Sequence, residues 1–205
     1  MKTIIAVSSF LLSLAAANPV AMPLEVVSER TLQSCPPNGT LSGTYISPSL
    51  IVPVSANLPN TAFGPTDCPL ITPKDFCSIF NLIIPPTAVG KTCTLEFLFP
   101  SHTQTYAPYT YFGDGHFTFT GYAFGSGATP KTTYNTQPPP GPSPPQPPAV
   151  LKPGNAYTIN VGGCAIQEGQ SGLEVSGLLC SSDTTFVFEQ SSDDGCPIGF
   201  FVGIS

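Results

Sequence analysis

The sequence predicts an all-β fold, an antiparallel β-sandwich of jelly-roll or immunoglobulin-like kind that is stabilised by disulfides. Its apolar stretches are short, rich in Val, Ile, Phe, Tyr and Thr, and bounded by Gly or Pro. After the N-terminal segment, none of them sustains the helical period of about 3.6 residues. Seven cysteines follow an N-terminal segment of the kind that directs export, and exported chains keep their cysteines oxidised. Short strands and oxidised cysteines together predict packed sheets joined by disulfides.

The chain begins with the features of a secretory signal peptide. Lys2 precedes an apolar run over residues 4–16, and small residues at positions 15 and 17 form a cleavage site after Ala17. Residues 18–34 are then an N-terminal arm or a short pro-region. No later apolar run reaches the roughly 20 residues of a membrane helix, and the C-terminal end lacks the pattern of a lipid-anchor signal. We therefore predict a secreted protein without a membrane span or lipid anchor.

Residues 35–205 are predicted to form one domain with ten strands. The predicted strands are residues 40–46, 49–54, 77–84, 93–99, 106–112, 116–122, 155–161, 173–178, 184–189 and 197–204. A proline-rich segment at 138–149 cannot donate a continuous ladder of hydrogen bonds. We expect it to form an extended surface loop within the domain.

The tripeptide Gly90-Lys91-Thr92 has the letters that end a phosphate-binding loop, but its surroundings do not fit one. Pro85 stands where the first glycine of that loop is needed, and the residues after Thr92 alternate like a strand instead of forming a helix. The sequence predicts a glycine turn between two strands.

An odd number of cysteines leaves at least one of them unpaired. Cys68 and Cys77 bracket a proline-containing loop and are predicted to close it, and a Cys93–Cys164 bond is predicted to join two distant strands. If the last three strands form an up-down-up meander, Cys180 and Cys196 lie roughly 20 Å apart, which is too far for a disulfide.

The charge balance argues against a nucleic-acid partner. The chain has six basic residues against twelve acidic ones, and cleavage of the signal peptide removes one of the six. Binding to a phosphate backbone requires clustered Lys and Arg. The single arginine, Arg30, precedes the first strand, so the domain has no guanidinium with which to clamp a carboxylate or phosphate.

Candidate chemical groups are few, and each has a simpler structural interpretation. Asp114 and His116 could share a metal or act as an acid–base pair, but His116 is also explained as an exposed residue after a turn. No nucleophile elbow occurs. Carboxylates for glycoside hydrolysis could come from Glu96, Asp114, Glu168, Glu174 and Glu189, but no motif selects a pair. We therefore predict no catalytic, cofactor-binding or metal-binding residues.

Two surface features are predicted. Tyr109 and Tyr111 share one strand face with Tyr106 nearby, so their rings form a possible binding surface for sugars or for another protein. Asn38 begins the one glycosylation sequon and is predicted to carry a glycan in the secretory pathway.

Five segments, in order, carry a family resemblance. They are "SLIVPVS" (49–55), "CSIFNLIIPPTAVGKTCTLEFLFPS" (77–101), "TTYNTQP" (132–138), "LKPGNAYTIN" (151–160) and "PIGFFV" (197–202). They resemble the fungal domain named after the C-terminal part of the But proteins, which bind a ubiquitin-like-modifier activating enzyme in yeast. The resemblance implies a fungal source, a β-sandwich and secretion or wall association, and it implies no set of catalytic residues. The proline-rich loop, Cys68 and Cys77 depart from that pattern and favour an extracellular setting.

The sequence therefore predicts a secreted, non-catalytic binding or structural protein of the extracellular space or cell wall. Its expected partner is an unidentified extracellular protein or a wall polysaccharide. Two alternatives are a secreted effector or elicitor perceived by a host, and a carbohydrate-binding or carbohydrate-active protein.

Overall fold

The computed structural model describes residues 31–142 and 147–205, which contain eleven strands. The predicted signal peptide, residues 18–30 and positions 143–146 of the proline-rich loop lie outside the described residues. Leu32–Ser205 forms one compact unit. The strands are β1 (Thr44–Ile46), β2 (Leu50–Ser55), β3 (Leu70–Ile71), β4 (Phe76–Ile84), β5 (Thr92–Phe99), β6 (Tyr109–Phe112), β7 (Phe117–Gly121), β8 (Asn155–Gly163), β9 (Leu173–Ser181), β10 (Thr185–Phe188) and β11 (Gly199–Ile204).

These strands form three antiparallel sheets. The first sheet has the order β1-β11-β5-β8, the second β2-β4-β9-β7, and the third β3-β10-β6. A continuous hydrophobic core contains residues from all three sheets. The all-β, disulfide-stabilised sandwich predicted from the sequence is therefore confirmed.

The centre of the core is built from phenylalanine rings. Alternation along β5 points Leu95, Phe97 and Phe99 inward. Phe97 is completely buried, and its ring contacts those of Phe99, Phe186, Phe188 and Phe200. Burial of one such side chain contributes about 1.5–3 kcal/mol.

β4, in the second sheet, is buried on both faces over most of its length, which explains its nearly continuous apolar run. Phe80 faces the first sheet, while Ile79 faces a smaller cluster beneath the loop that follows β7. Asn81 fastens this loop, because its side-chain amide donates to the Ala128 carbonyl at 2.8 Å and its oxygen accepts from the Ala128 amide at 3.0 Å. Each polar group of the buried Asn81 side chain is therefore hydrogen-bonded.

The predicted meander of the last three strands is wrong. β9, β10 and β11 lie one in each sheet. A turn directly after β9 redirects the chain, with the Ser181 hydroxyl accepting from the Thr184 amide at 2.9 Å and donating to the His116 carbonyl at 2.7 Å. Alternation shows which face of a strand is apolar, but it does not show which strand lies beside it.

The disulfides are Cys35–Cys196, Cys77–Cys180 and Cys93–Cys164, and Cys68 is free and exposed. The predicted Cys68–Cys77 bond is therefore wrong, whereas the Cys93–Cys164 bond is present. Cys77 lies beside Cys180 because β4 and β9 are neighbours. Cys68 lies near the end of β10, because the backbone amide of Gln190 donates to the carbonyl of Asp67, the residue before Cys68, at 2.9 Å.

The Gly90-Lys91-Thr92 segment forms a turn, as the strand-like residues after it indicate. A short 3-10 helix at Pro86–Ala88 precedes it, and Gly90 has a φ of 74°, a conformation that favours glycine. Lys91 is exposed, and β5 begins at Thr92.

Candidate functional site

An apolar cleft of about 260 Å³ lies between the first and second sheets. It opens beside β8 and β7, which are edge strands of those two sheets. Aliphatic and aromatic side chains line it in equal number: Leu82, Ile84, Leu95, Val175 and Val202, and Phe80, Phe119, Tyr122, Phe124 and Phe200. The cleft is concave and mostly apolar, so we take it as the candidate site.

The cleft exists because β8 supplies small or polar residues where its neighbour supplies apolar ones. Asn160 is paired with Leu95, and Gly162 with Cys93. Residues paired across antiparallel strands project to the same face, so positions 160 and 162 face the cleft. A side chain at Gly162 would enter open space, since no atom lies within 4 Å of where its Cβ would stand.

Aromatic rings close the inner end of the cleft. The Phe200 ring centroid lies 4.7 Å from that of Phe80 and 5.6 Å from that of Phe119. The Phe119 ring lies directly on the backbone of Gly177, where any Cβ would overlap it. Because Gly177 of β9 has no side chain, the Phe119 ring packs against the backbone at this point and does not fill the cleft.

Residues after β7 and the start of the proline-rich loop form one side of the mouth. The Ala123 amide donates to the Pro139 carbonyl at 3.0 Å, and the Gly141 amide donates to the Gly121 carbonyl at 2.8 Å. Gly141 is the one residue of the run "PPPGP" with an amide to donate, and a Cβ there would lie only 2.9 Å from the Tyr122 carbonyl oxygen. The proline-rich loop is therefore pinned beside the cleft at its glycine.

The cleft is uncharged and mostly apolar. Among the described residues that line it, none has a charged side chain. Burial, with a smaller contribution from Tyr134, raises the pKa of Tyr122, whose hydroxyl donates to Gln137 Oε1 at 2.8 Å. The exposed Asn160 offers an amide, and Phe124, 68% exposed, extends the apolar surface outward. The Cys93–Cys164 disulfide forms part of the wall.

The predicted tyrosine surface is not assembled as expected. Tyr109 and Tyr111 do share a face, but that face points into the core, where each ring packs against Phe99 and Phe186. The Tyr111 hydroxyl donates to the Leu151 carbonyl at 2.9 Å. Tyr106 is exposed, and it is the one member of the predicted set that solvent reaches freely.

His116, which was considered with Asp114 as a metal-binding or acid–base pair, is an exposed residue before β7 and contacts a different carboxylate. His116 Nδ1 lies 2.5 Å from Oδ2 of Asp183, and Oδ1 of Asp183 accepts from the Thr184 hydroxyl at 2.7 Å. The Thr184 hydrogen bond, followed by those of His116, lowers the pKa of Asp183. These groups close the turn after β9. In residues 31–142 and 147–205, no three His, Cys, Asp or Glu side chains are grouped to hold a metal ion.

The carboxylates considered for hydrolysis are dispersed. Glu174 accepts a hydrogen bond from Asn81 Nδ2 at 2.8 Å, so it helps to fasten the loop over the second sheet. Burial raises the pKa of Glu96, which lies on β5. Asn38 is exposed in a turn with a φ of 59°, and its glycosylation stays a prediction.

The sequence reasoning missed the cleft. The available signal was the end of β8, "NVGG", where Asn160 and Gly162 occupy the face that elsewhere in the sandwich has large apolar residues. Glycine within a strand often marks a place where something other than a side chain fills the space.

In the part of the chain that the structure describes, no helix is long and apolar enough to cross a membrane. A search of curated proteins returns no match to the chain. A family match covers most of the sandwich, from the residues just before β2 to those before β11. The chain belongs to the family described as the ubiquitin 3 binding protein But2 C-terminal domain, which matches residues 47–194.

Proposed function

We propose that this chain is a non-catalytic binding protein that a fungus exports to the extracellular space or the cell wall, and that the apolar cleft is its binding site. The observation that carries the proposal is the cleft itself, about 260 Å³ of uncharged, mostly apolar space that opens to solvent at the edge of the sandwich. The family description names a binding protein, which supports a binding role.

The extracellular setting is supported by the cysteines. Three disulfides join distant parts of the chain, and such bonds persist in oxidising compartments. The predicted signal peptide is consistent with the same route. A partner in that compartment would differ from the ubiquitin that the family description names.

The non-catalytic part of the proposal is supported by the hydrogen bonds of the candidate acid–base groups, which hold a turn and a loop in place. His116 and Asp183 fasten one turn, and Glu174 fastens a loop through Asn81. A panel of glycoside and ester substrates tests this part, and we expect no turnover above that of the heat-denatured protein. Turnover abolished by Asp183→Asn would contradict it.

Binding in the cleft is tested with a neutral fluorescent probe. The full chain is produced through a eukaryotic secretory pathway and titrated with 1-aminonaphthalene, whose emission shifts in apolar surroundings. We expect saturable binding by the wild type and a loss of at least tenfold in affinity in Gly162→Leu, which fills the cleft. The matched control is Gly203→Leu, since Gly203 pairs with the outward-facing Thr94 and a side chain there also meets open space. Equal binding by both variants would contradict the proposal.

The compartment is tested separately in the source organism. We expect the protein in the culture filtrate or the wall fraction, with six of its seven cysteines oxidised. A folded, fully reduced protein in the cytosol would contradict the extracellular role.

A further inference from the structure

We infer that the cleft takes a neutral amphiphile with a single alkyl chain of medium length, such as a fatty alcohol. This inference rests on the proposed function, because it takes the cleft as the binding site.

Size sets the length of the ligand. A cavity of about 150 Å³ lined by Leu, Ile and Phe holds a benzene molecule, and sites for drug-sized ligands begin at about 300 Å³. The cleft, at about 260 Å³, lies between the two. Scaling benzene by volume gives room for about ten carbon atoms. A medium-length chain fits, whereas a long acyl chain would leave its end in water.

Wall chemistry favours an alkyl chain over an aromatic ring. Aliphatic side chains, Leu82, Val175 and Val202 among them, line the cleft beside an equal number of aromatic ones, of which Phe119 packs on Phe200 and Phe124 is largely exposed. The rings of Phe80 and Phe200 lie at the inner end and are already packed on each other, with centroids 4.7 Å apart. The inner rings already pack on one another, so the aliphatic side chains beside them provide contact area that a flexible chain can follow.

The charge of the site favours a neutral head group. Among the described lining residues, no cation is present to pair with a carboxylate or phosphate, and the chain has a formal net charge of −6 at pH 7. An anionic head would be repelled and would lose hydration without gaining a partner. The exposed Asn160 at the rim has an amide that both donates and accepts hydrogen bonds. A hydroxyl head group suits this residue.

The test is displacement of bound 1-aminonaphthalene by a homologous series of 1-alkanols, from hexanol to dodecanol. Each added methylene should tighten binding about fourfold, as expected from the transfer of a methylene out of water. The gain should cease near decanol, when the cleft is full. Ionised decanoate should bind at least tenfold more weakly than decanol. Affinity that is independent of chain length, or decanoate that binds as tightly as decanol, would overturn the inference.

Two variants locate the effect. Gly162→Leu adds a four-carbon side chain to the cleft, so the length at which affinity stops rising should shorten by about four carbons by the same volume scaling. Gly203→Leu should leave the series unchanged. Asn160→Lys places a cation at the rim and should bring decanoate above decanol in affinity. If Gly162→Leu does not fold, the alkanol series on the wild type and the head-group comparison still decide the matter.

The outcomes separate this inference from the proposed function. If Gly162→Leu excludes 1-aminonaphthalene while alkanols do not compete for it, the cleft binds another class of ligand and only the alkyl-chain inference fails. If neither variant alters probe binding, both fail. A stable dimer in sedimentation velocity that excludes the probe would also overturn the inference, since a second copy would then cover the cleft.

Discussion

At the scale of single residues, the free and exposed Cys68 should be a slowly reacting thiol. Burial, followed by the nearby Glu189 and Asp67, raises the pKa of Cys68, and the thiolate is the reactive form. We expect one thiol per chain to react with iodoacetamide at pH 7.5, more slowly than free cysteine does. Cys68→Ser should remove this reaction, and mass mapping reads it out. A rate above that of free cysteine would contradict the electrostatic argument.

Asp75 should make a pH-dependent contribution to stability. The Ser55 hydroxyl donates to its carboxylate at 2.6 Å and the Asn57 amide at 3.1 Å, and these bonds lower its pKa from the ordinary value of 3.8. A lowered folded-state pKa means that the contribution is fully present above 3.8 and is lost as pH falls through the folded-state pKa.

This contribution is measured as the difference in free energy of unfolding between the wild type and Asp75→Asn, by urea titration from pH 7 down to pH 2. The difference should shrink as the medium becomes acidic. Ser55→Ala should reduce it at neutral pH, since the first of the stabilising hydrogen bonds is gone. A difference that does not change with pH would contradict the assignment.

At the scale of elements, β5 provides a clear contrast between its interior and the turn before it. Phe97→Ala should cost about 3–5 kcal/mol, because it opens a cavity in a fully buried aromatic cluster. Lys91→Ala should change the free energy of unfolding by less than about 0.5 kcal/mol, because Lys91 is exposed. Guanidinium unfolding measures both, and similar small effects would contradict the strand assignment.

The elements themselves were readable from the sequence, because alternation records burial directly. Each of the ten predicted strands is present, with ends that differ by a few residues, and β3 was missed because two residues are too short to show a period. Partners were not readable. The bond from Cys77 depends on β4 lying beside β9, and no local pattern encodes that neighbour.

The sequence also did not show which face of β6 points into the core. Tyr109 and Tyr111 alternate as predicted, yet the strand has aromatic residues on both faces, and the outward one, Phe112, is 80% exposed. The cleft could not be predicted from the sequence for a related reason. It is open because Gly162, paired with Cys93, has no side chain to fill the space between the sheets. Both depend on which sheet covers which face, and this is a property of the assembled sandwich.

At the scale of the whole molecule, the Cys35–Cys196 disulfide closes the longest loop. Its cysteines are 161 residues apart, compared with 71 for Cys93–Cys164. Cys35 and Cys196 both lie outside the family match at 47–194. The bond ties the start of the described chain to the segment before β11. Hydrogen bonds add to it, including that from the Gln33 amide to the Thr103 carbonyl at 2.7 Å.

Removing this bond with Cys35→Ser and Cys196→Ser together should lower the free energy of unfolding by about 2–5 kcal/mol, because the unfolded chain gains the freedom of a long loop. The sandwich should still form, since β11 is paired with β5 over six residues independently of the bond. Loop-closure entropy alone makes this loss about 0.7 kcal/mol larger than that from Cys93→Ser with Cys164→Ser. Guanidinium unfolding gives the energies, and hydrogen exchange at residues 32–35 should accelerate in the first double variant. Unchanged exchange there would show that hydrogen bonds, and not the disulfide, hold the N-terminal segment in place.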